Sequence, residues 1–284
     1  MEDLYSIVHY WLVGHPIISQ FEFKHGLTFG ATLLFPIVSM FMYLSFTILS
    51  LRFQSLLPTI SAATLRLITA IHSLILCVLS LLITVGCSLS VVHQVAAHDW
   101  TWVICYNRLN NYTNIIPRGP IFFWAYVFYL SKILEYIDTL LIILSSSRSR
   151  RLSFLHVYHH AMVPLLCYVT LKNSQSMLHT GVITNASVHV LMYAYYFLSA
   201  IGKRPWWKKL VTNVQIVQFM FCFLCLGAVI YYHLTSEFGC SGIGVWFFTI
   251  SFNISLLALF LNFHFKTYAN NVKKNREDKL DKQT

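Results

Sequence analysis

The chain has 284 residues, of which 57% fall in the set AVILMFWYC and only 11% are Asp, Glu, Lys or Arg, with a formal net charge of +10. A soluble domain carries about 25% charged residues, so there are too few here to cover a water-facing surface. With a mean hydropathy of +0.62, the composition excludes a disordered chain, a collagen-like repeat and a soluble α/β enzyme, and points to an all-α polytopic membrane protein.

In chain order, residues 1–28 hold Glu2, Asp3 and Glu22 and no cationic leader before an apolar core, so no cleavable signal peptide is expected. Crossing a hydrocarbon core takes about 20 predominantly apolar residues. Seven stretches meet that need, near 29–50, 67–92, 120–144, 154–172, 178–201, 210–234 and 245–265. The expected division is a non-cytosolic segment 1–28, a seven-helix membrane domain 29–265 and a basic cytosolic tail 266–284.

Seven spans put the termini on opposite sides. The basic residues cluster between spans, which is the pattern of membrane orientation and not of nucleic-acid binding. Arg52, Arg66, Arg148, Arg150, Arg151, Lys203, Arg204, Lys208, Lys209 and the six Lys and Arg of the tail share one side, making 15 of the 20 Lys and Arg. The other side has Lys24, Arg108, Arg118 and Lys172, and Lys132 lies within a span. The excess predicts a C-terminus in the cytosol and an N-terminus on the opposite, lumenal side. Asn111-Tyr112-Thr113 is the sequon in a predicted loop, and it falls in the non-cytosolic segment 93–119, where glycosylation could occur. Cys105 and Cys240 are the two loop cysteines, both on the oxidising side, and a disulfide between them is expected. Cys77, Cys87, Cys167, Cys222 and Cys225 lie in spans and read as small apolar residues.

Polar residues interrupt four consecutive spans. Span three reads Lys132-x-x-Glu135-x-x-Asp138-Thr139, placing three charges within about 9 Å of helix axis. Each charge costs roughly 2.5–3.5 kcal/mol at the centre of a span, so such groups mark a wet functional cavity by default. Lys132 and Glu135 could pair at i, i+3, which leaves Asp138 unexplained. Span four opens with His156, His159 and His160, whose imidazoles share a 100° sector of one face. Asn185, His189, Tyr193 and Tyr196 form one stripe of span five. Thr212, Gln215 and Gln218 follow at i, i+3 and i+6 in span six, beside its basic flank.

Clustered imidazoles first suggest a metal centre. A carboxylate di-iron enzyme needs repeated Glu-x-x-His and a zinc hydrolase needs His-Glu-x-x-His; the chain has neither motif. A histidine-box di-iron desaturase or hydroxylase needs several separated clusters, and here His72, His93, His233 and His264 are scattered. The second chemistry needs no metal. Imidazole can carry an acyl group, a neighbouring imidazole can move its proton, and amide or hydroxyl donors can stabilise an oxyanion. A seven-span transporter is the third class, and it gives no reason for three histidines together.

The boxes Lys132-x-x-Glu135-x-x-Asp138-Thr139, His156-x-x-His159-His160, Asn185-x-x-x-His189-x-x-Met192-Tyr193-x-Tyr195-Tyr196 and Thr212-x-x-Gln215-x-x-Gln218-Phe219 resemble the four signature boxes of the ELO family of fatty acid elongases. They stand intact and in order. The resemblance extends from about Tyr10 to Lys266, and outside the boxes it is nearest the plant ELO-like group. It implies an endoplasmic reticulum enzyme in which spans two to seven enclose an acyl tunnel. The implied reaction joins a long-chain acyl-CoA to malonyl-CoA, giving 3-oxoacyl-CoA, CO₂ and CoA, with no cofactor. The reductases and dehydratase of the elongation cycle are the implied partners.

The resemblance suggests His159 as the nucleophile that stores the acyl group, with His156 and His160 on either side of it and His189 facing it. Lys132, Asp138, Gln215 and Gln218 are expected to position the thioester and malonyl groups, Asn185 and Tyr193 to donate to the developing oxyanion, and Glu135, Thr139 and Tyr196 to contribute to substrate binding. Arg148, Arg150, Arg151, Lys203, Arg204, Lys208 and Lys209 are expected to dock CoA phosphates at the cytosolic mouth, where the positive-inside rule alone would also place them. The residues leave acyl length and oligomeric state open, a homodimer included.

Overall fold

The computed structural model describes residues 3–53, 55, 57, 60–97, 100–106, 116–145 and 152–265. Asn111, Arg148, Arg150, Arg151 and the tail 266–284 lie outside these residues. The described chain is helical, with one isolated bridge between Glu22 and Arg118. Short helical turns over Leu4–Ser19 lead into α1 (Leu34–Arg52), α2 (Ala62–Ala97), α3 (Pro120–Leu134), α4 (Tyr136–Leu144), α5 (Phe154–Lys172), α6 (Leu178–Ala200), α7 (Lys208–Thr235) and α8 (Ile243–His264).

Each of the seven apolar stretches is therefore helical, but they are not alike. Five helices, α1, α2, α5, α7 and α8, are long and apolar enough to cross a membrane. The third stretch is two helices, because the chain turns at Glu135 and leaves pieces of 15 and 9 residues. The fifth, α6, is 23 residues long and owes its greater polarity to the stripe that carries His189. Apolar side chains face outward, among them Met42, Leu67, Leu224 and Phe247. Such a surface is stable only in lipid.

The ends of the helices explain where the polar residues land. Pro120 begins α3 directly after Gly119, whose φ of 88° suits a residue without a Cβ. Ser153 caps α5, its Oγ accepting the His156 amide hydrogen at 3.2 Å, and this fixes the histidine triplet in the first two turns. Pro164 inside α5 has no N–H, so the carbonyl of His160 loses its helical donor.

The packing is a closed ring. Helix α2 packs along α6, α6 on α7, α7 on α8, α8 on α5, α5 on α3, and α3 returns to α2. The α2–α3 approach is close because Gly86 carries no side chain where the Trp124 ring crosses α2. Helix α1 stands outside the ring against α5 and α4. The N-terminal segment is tied to the ring by a bond from Trp124 Nε1 to the Leu12 carbonyl at 2.8 Å. Buried side chains from α2, α3, α5, α6, α7 and α8 form one apolar core, including Phe128, Tyr168, Leu171 and Phe252.

Candidate active site

Inside the ring lies a cavity of about 180 Å³. Its wall comes from α3, α5, α6, α7 and α8 and is mostly apolar, with Phe128, Val163, Leu166, Phe219 and Leu256 among the lining residues. Of the residues singled out by sequence, His159, Asn185 and Gln218 line it.

The turn between α3 and α4 gathers the charges beside that cavity. Lys132 Nζ donates to Glu135 Oε1 at 2.7 Å, and both side chains are 2% exposed. His189 Nδ1 from α6 lies 3.2 Å from the same carboxylate oxygen and 3.3 Å from Lys132 Nζ. Lys132 Nζ also sits over the Phe128 ring, 4.3 Å from its centre. Removing two charges from water costs several kcal/mol each, recovered only with good geometry and further bonds. The i, i+3 pair considered from sequence thus exists, and His189 completes it.

Asp138 has its own partners. Tyr193 donates its hydroxyl to Oδ2 at 2.7 Å, and His72 Nε2 of α2 is 3.1 Å from Oδ1. Thr139 Oγ1 lies 2.9 Å from His156 Nε2 and 2.9 Å from the hydroxyl of Tyr43 on α1. Lys132, Glu135 and His189 therefore pair with one another, Asp138 with Tyr193 and His72, and Thr139 with His156 and Tyr43.

The histidine triplet divides. His156 is held by Thr139. His160 is buried against its neighbours, with ring centroids 4.3 Å from His156 and 5.1 Å from His159. His159 alone of the three lines the cavity, and among the described residues no side chain hydrogen-bonds its ring. The expectation that His156 and His160 flank it needs correction. At 100° per residue His159 stands at one edge of the sector, 60° from His156 and 100° from His160. Being at the edge leaves it for the cavity while the other two face the surrounding helices.

Other expected residues lie away from the cavity wall. Gln215 Nε2 reaches Met192 Sδ at 3.8 Å. Tyr196 is 42% exposed, with its ring 5.9 Å from Tyr193. Lys208 and Lys209 are exposed in the first turn of α7. Cations there oppose the helix dipole, an arrangement that an anion would relieve. Tyr43 and His72 are the residues that sequence reading missed. His72 carried a signal, being an ionisable group in an apolar span; Tyr43 carried none.

At the other end of the ring Cys105 and Cys240 form the expected disulfide, with Cα atoms 5.0 Å apart. Ser241 N donates to the Tyr106 carbonyl at 2.9 Å and Ser176 N to the Ser241 carbonyl at 3.1 Å. The Tyr106 hydroxyl and His179 Nδ1 are 2.6 Å apart, and the Trp102 ring stacks on His179 at 5.9 Å. These contacts join the segment before α3 to the α5–α6 and α7–α8 turns.

Comparison with known proteins shows the family. The model of the ELO: GNS1/SUR4 family matches residues 28–276. Fatty acid elongase A of Dictyostelium discoideum is 32% identical over 94% of this chain and 96% of its own. Fatty acid elongase 3-like of Arabidopsis thaliana is 27% identical over 94% of this chain and 93% of its own. Very long chain fatty acid elongase 5 of Mus musculus is 37% identical over 55% of this chain and 51% of its own.

Proposed function

The chain belongs to the ELO, or GNS1/SUR4, family and is a condensing enzyme of fatty acid elongation, and we propose that it joins acyl-CoA to malonyl-CoA through an acyl group held on His159. One observation carries the acyl-histidine reading: of the three clustered histidines, His159 is the one that lines the cavity. A nucleophile needs a free lone pair beside the place where its substrate lies.

In the first half-reaction an imidazole nitrogen of His159 adds to the thioester carbonyl. The C–S bond breaks, and the ring proton leaves with the thiolate as CoA thiol. In the second half, malonyl-CoA loses CO₂ and its electron pair passes to the enolate. The enolate carbon bonds to the acyl carbonyl, the acyl–nitrogen bond breaks, and one proton returns to the imidazole. The product is a 3-oxoacyl-CoA two carbons longer. Asn185 and Gln218 on the wall are the amides able to donate to the oxyanions of both halves. Tyr193, committed to Asp138, acts there by holding that carboxylate.

The apolar part of the cavity takes the acyl chain, and the first turn of α7 with Lys208 and Lys209 takes the CoA phosphates. Seven spans in the endoplasmic reticulum membrane, N-terminus lumenal and C-terminus cytosolic, bring that mouth to the compartment that holds CoA. The disulfide then lies on the lumenal side, where thiols oxidise. The membrane domain is 29–265, with 1–28 lumenal and 266–284 cytosolic, and the product passes to the reductases and dehydratase of the cycle. Purified protein given malonyl-CoA and a ladder of acyl-CoAs yields 3-oxoacyl-CoAs two carbons longer, identified by mass. Absence of any such product from folded protein overturns the assignment.

A further inference from the structure

Helix α1 stands outside the ring, yet one of its side chains enters the site's bonding. Tyr43 is 4% exposed; its ring stacks on Tyr136 at 4.4 Å, and its hydroxyl is 2.9 Å from Thr139 Oγ1. Thr139, 1% exposed, is in turn 2.9 Å from His156 Nε2.

A threonine hydroxyl has a single proton, so Thr139 cannot donate to both neighbours. Either Tyr43 donates to Thr139 and Thr139 donates to His156 Nε2, or His156 Nε2–H donates to Thr139 and Thr139 donates to the Tyr43 oxygen. Both directions keep both bonds. The first holds His156 with its proton on Nδ1, and the second holds it with the proton on Nε2. In either state Nδ1 is the ring nitrogen left to exchange a proton, in a ring whose centre is 4.3 Å from that of His160.

We infer that Tyr43 and Thr139 are positioning residues that hold His156 by Nε2 and let it change tautomer without losing a bond, so that His156 serves the proton traffic of the acyl-transfer site through Nδ1. This rests on the acyl-histidine reading for its chemistry, since that route takes one proton from His159 in the first half-reaction and returns one in the second. The bonding array itself does not depend on that reading.

The test uses the full-length protein in detergent or nanodiscs, with rates expressed per folded molecule. Tyr43→Phe keeps the ring on Tyr136 and removes the hydroxyl. Thr139→Val removes the hydroxyl at constant shape, and Thr139→Ser restores it. We expect the elongation kcat to fall about 100-fold in Thr139→Val, the low end of the range for proton-transfer groups, and about 10-fold in Tyr43→Phe, which acts one bond further away. The KM for acyl-CoA stays within twofold, and Thr139→Ser recovers most of kcat. A wild-type kcat in both Tyr43→Phe and Thr139→Val overturns the inference, as does an equal loss in Thr139→Ser and Thr139→Val. If Tyr43→Phe does not fold, the serine and valine pair decides alone. A missing burst of CoA in the wild type counts against the acyl-histidine, whereas a kcat loss that follows the hydroxyls upholds the positioning role under either mechanism.

Discussion

At the disulfide end of the ring, His179 meets the Tyr106 hydroxyl at 2.6 Å and stacks on Trp102. At the Glu135 end, about 20 Å back along α5 from its last residue Lys172, His159 lies on the cavity wall. Both ends bury histidine, tyrosine and serine or threonine, so residue type does not separate them. What separates them is where the bonds go. Around Cys105–Cys240 they run mainly to backbone, as from Ser241 to Tyr106 and from Ser176 to Ser241, and they hold three segments together. Around Glu135 they run between side chains, beside a cavity that His159 lines. A polar cluster in a membrane ring can therefore be a clamp or a reaction site, and the two ends differ in whether the bonds run to backbone or between side chains.

The largest expected effect separates the two histidines. His159→Ala lowers elongation at least about 1,000-fold in protein that still folds, a loss of the size seen when a nucleophile or its base is removed. His179→Ala lowers the melting temperature and leaves kcat per folded molecule within about twofold, since its bonds are structural. Equal kcat losses in the two variants would break the distinction.

The charged pair gives the next effect. Lys132→Met leaves Glu135 buried without its main partner, which costs about 3–5 kcal/mol. Lys132→Met with Glu135→Leu recovers most of that stability, because an apolar pair of similar volume replaces the ion pair. Its activity stays low, because His189 has then lost the carboxylate at 3.2 Å. Thermal unfolding alongside elongation rates checks both parts.

The disulfide comes third. Replacing Cys105 and Cys240 by Ser releases a crosslink across 135 residues and lowers stability by about 2–4 kcal/mol. The elongation kcat of the folded fraction stays unchanged if that end is a clamp. The smallest effect concerns docking. Neutralising Lys208 and Lys209 together raises the KM for acyl-CoA a few-fold, in proportion to the loss of an exposed charge pair, with kcat and membrane insertion unaltered.

Much of this was legible because charges are rare in apolar spans. Lys132, Glu135, Asp138, the histidine triplet and the His189 stripe stand out against leucine and phenylalanine, and the structure gathers them. The helices followed from the same contrast. The turn at Glu135 was not legible, since neither Pro nor Gly marks it. Tyr43 bonds Thr139 over a separation of 96 residues, and nothing in local sequence distinguishes it from a tyrosine at the membrane interface. His72 could be noticed but not paired, because its partner Asp138 comes from another helix. The division of labour within the triplet depends on which side of α5 faces the cavity, and only packing decides that.

The central claim is that His159 carries the acyl group, and the direct measurement is the adduct. Protein incubated with acyl-CoA and no malonyl-CoA should release one CoA per site and carry the acyl mass on a proteolytic peptide at His159, and the mass should be lost when malonyl-CoA is added. Acyl mass confined to His189, or no adduct and no CoA burst in a preparation that elongates once malonyl-CoA is supplied, would contradict the account.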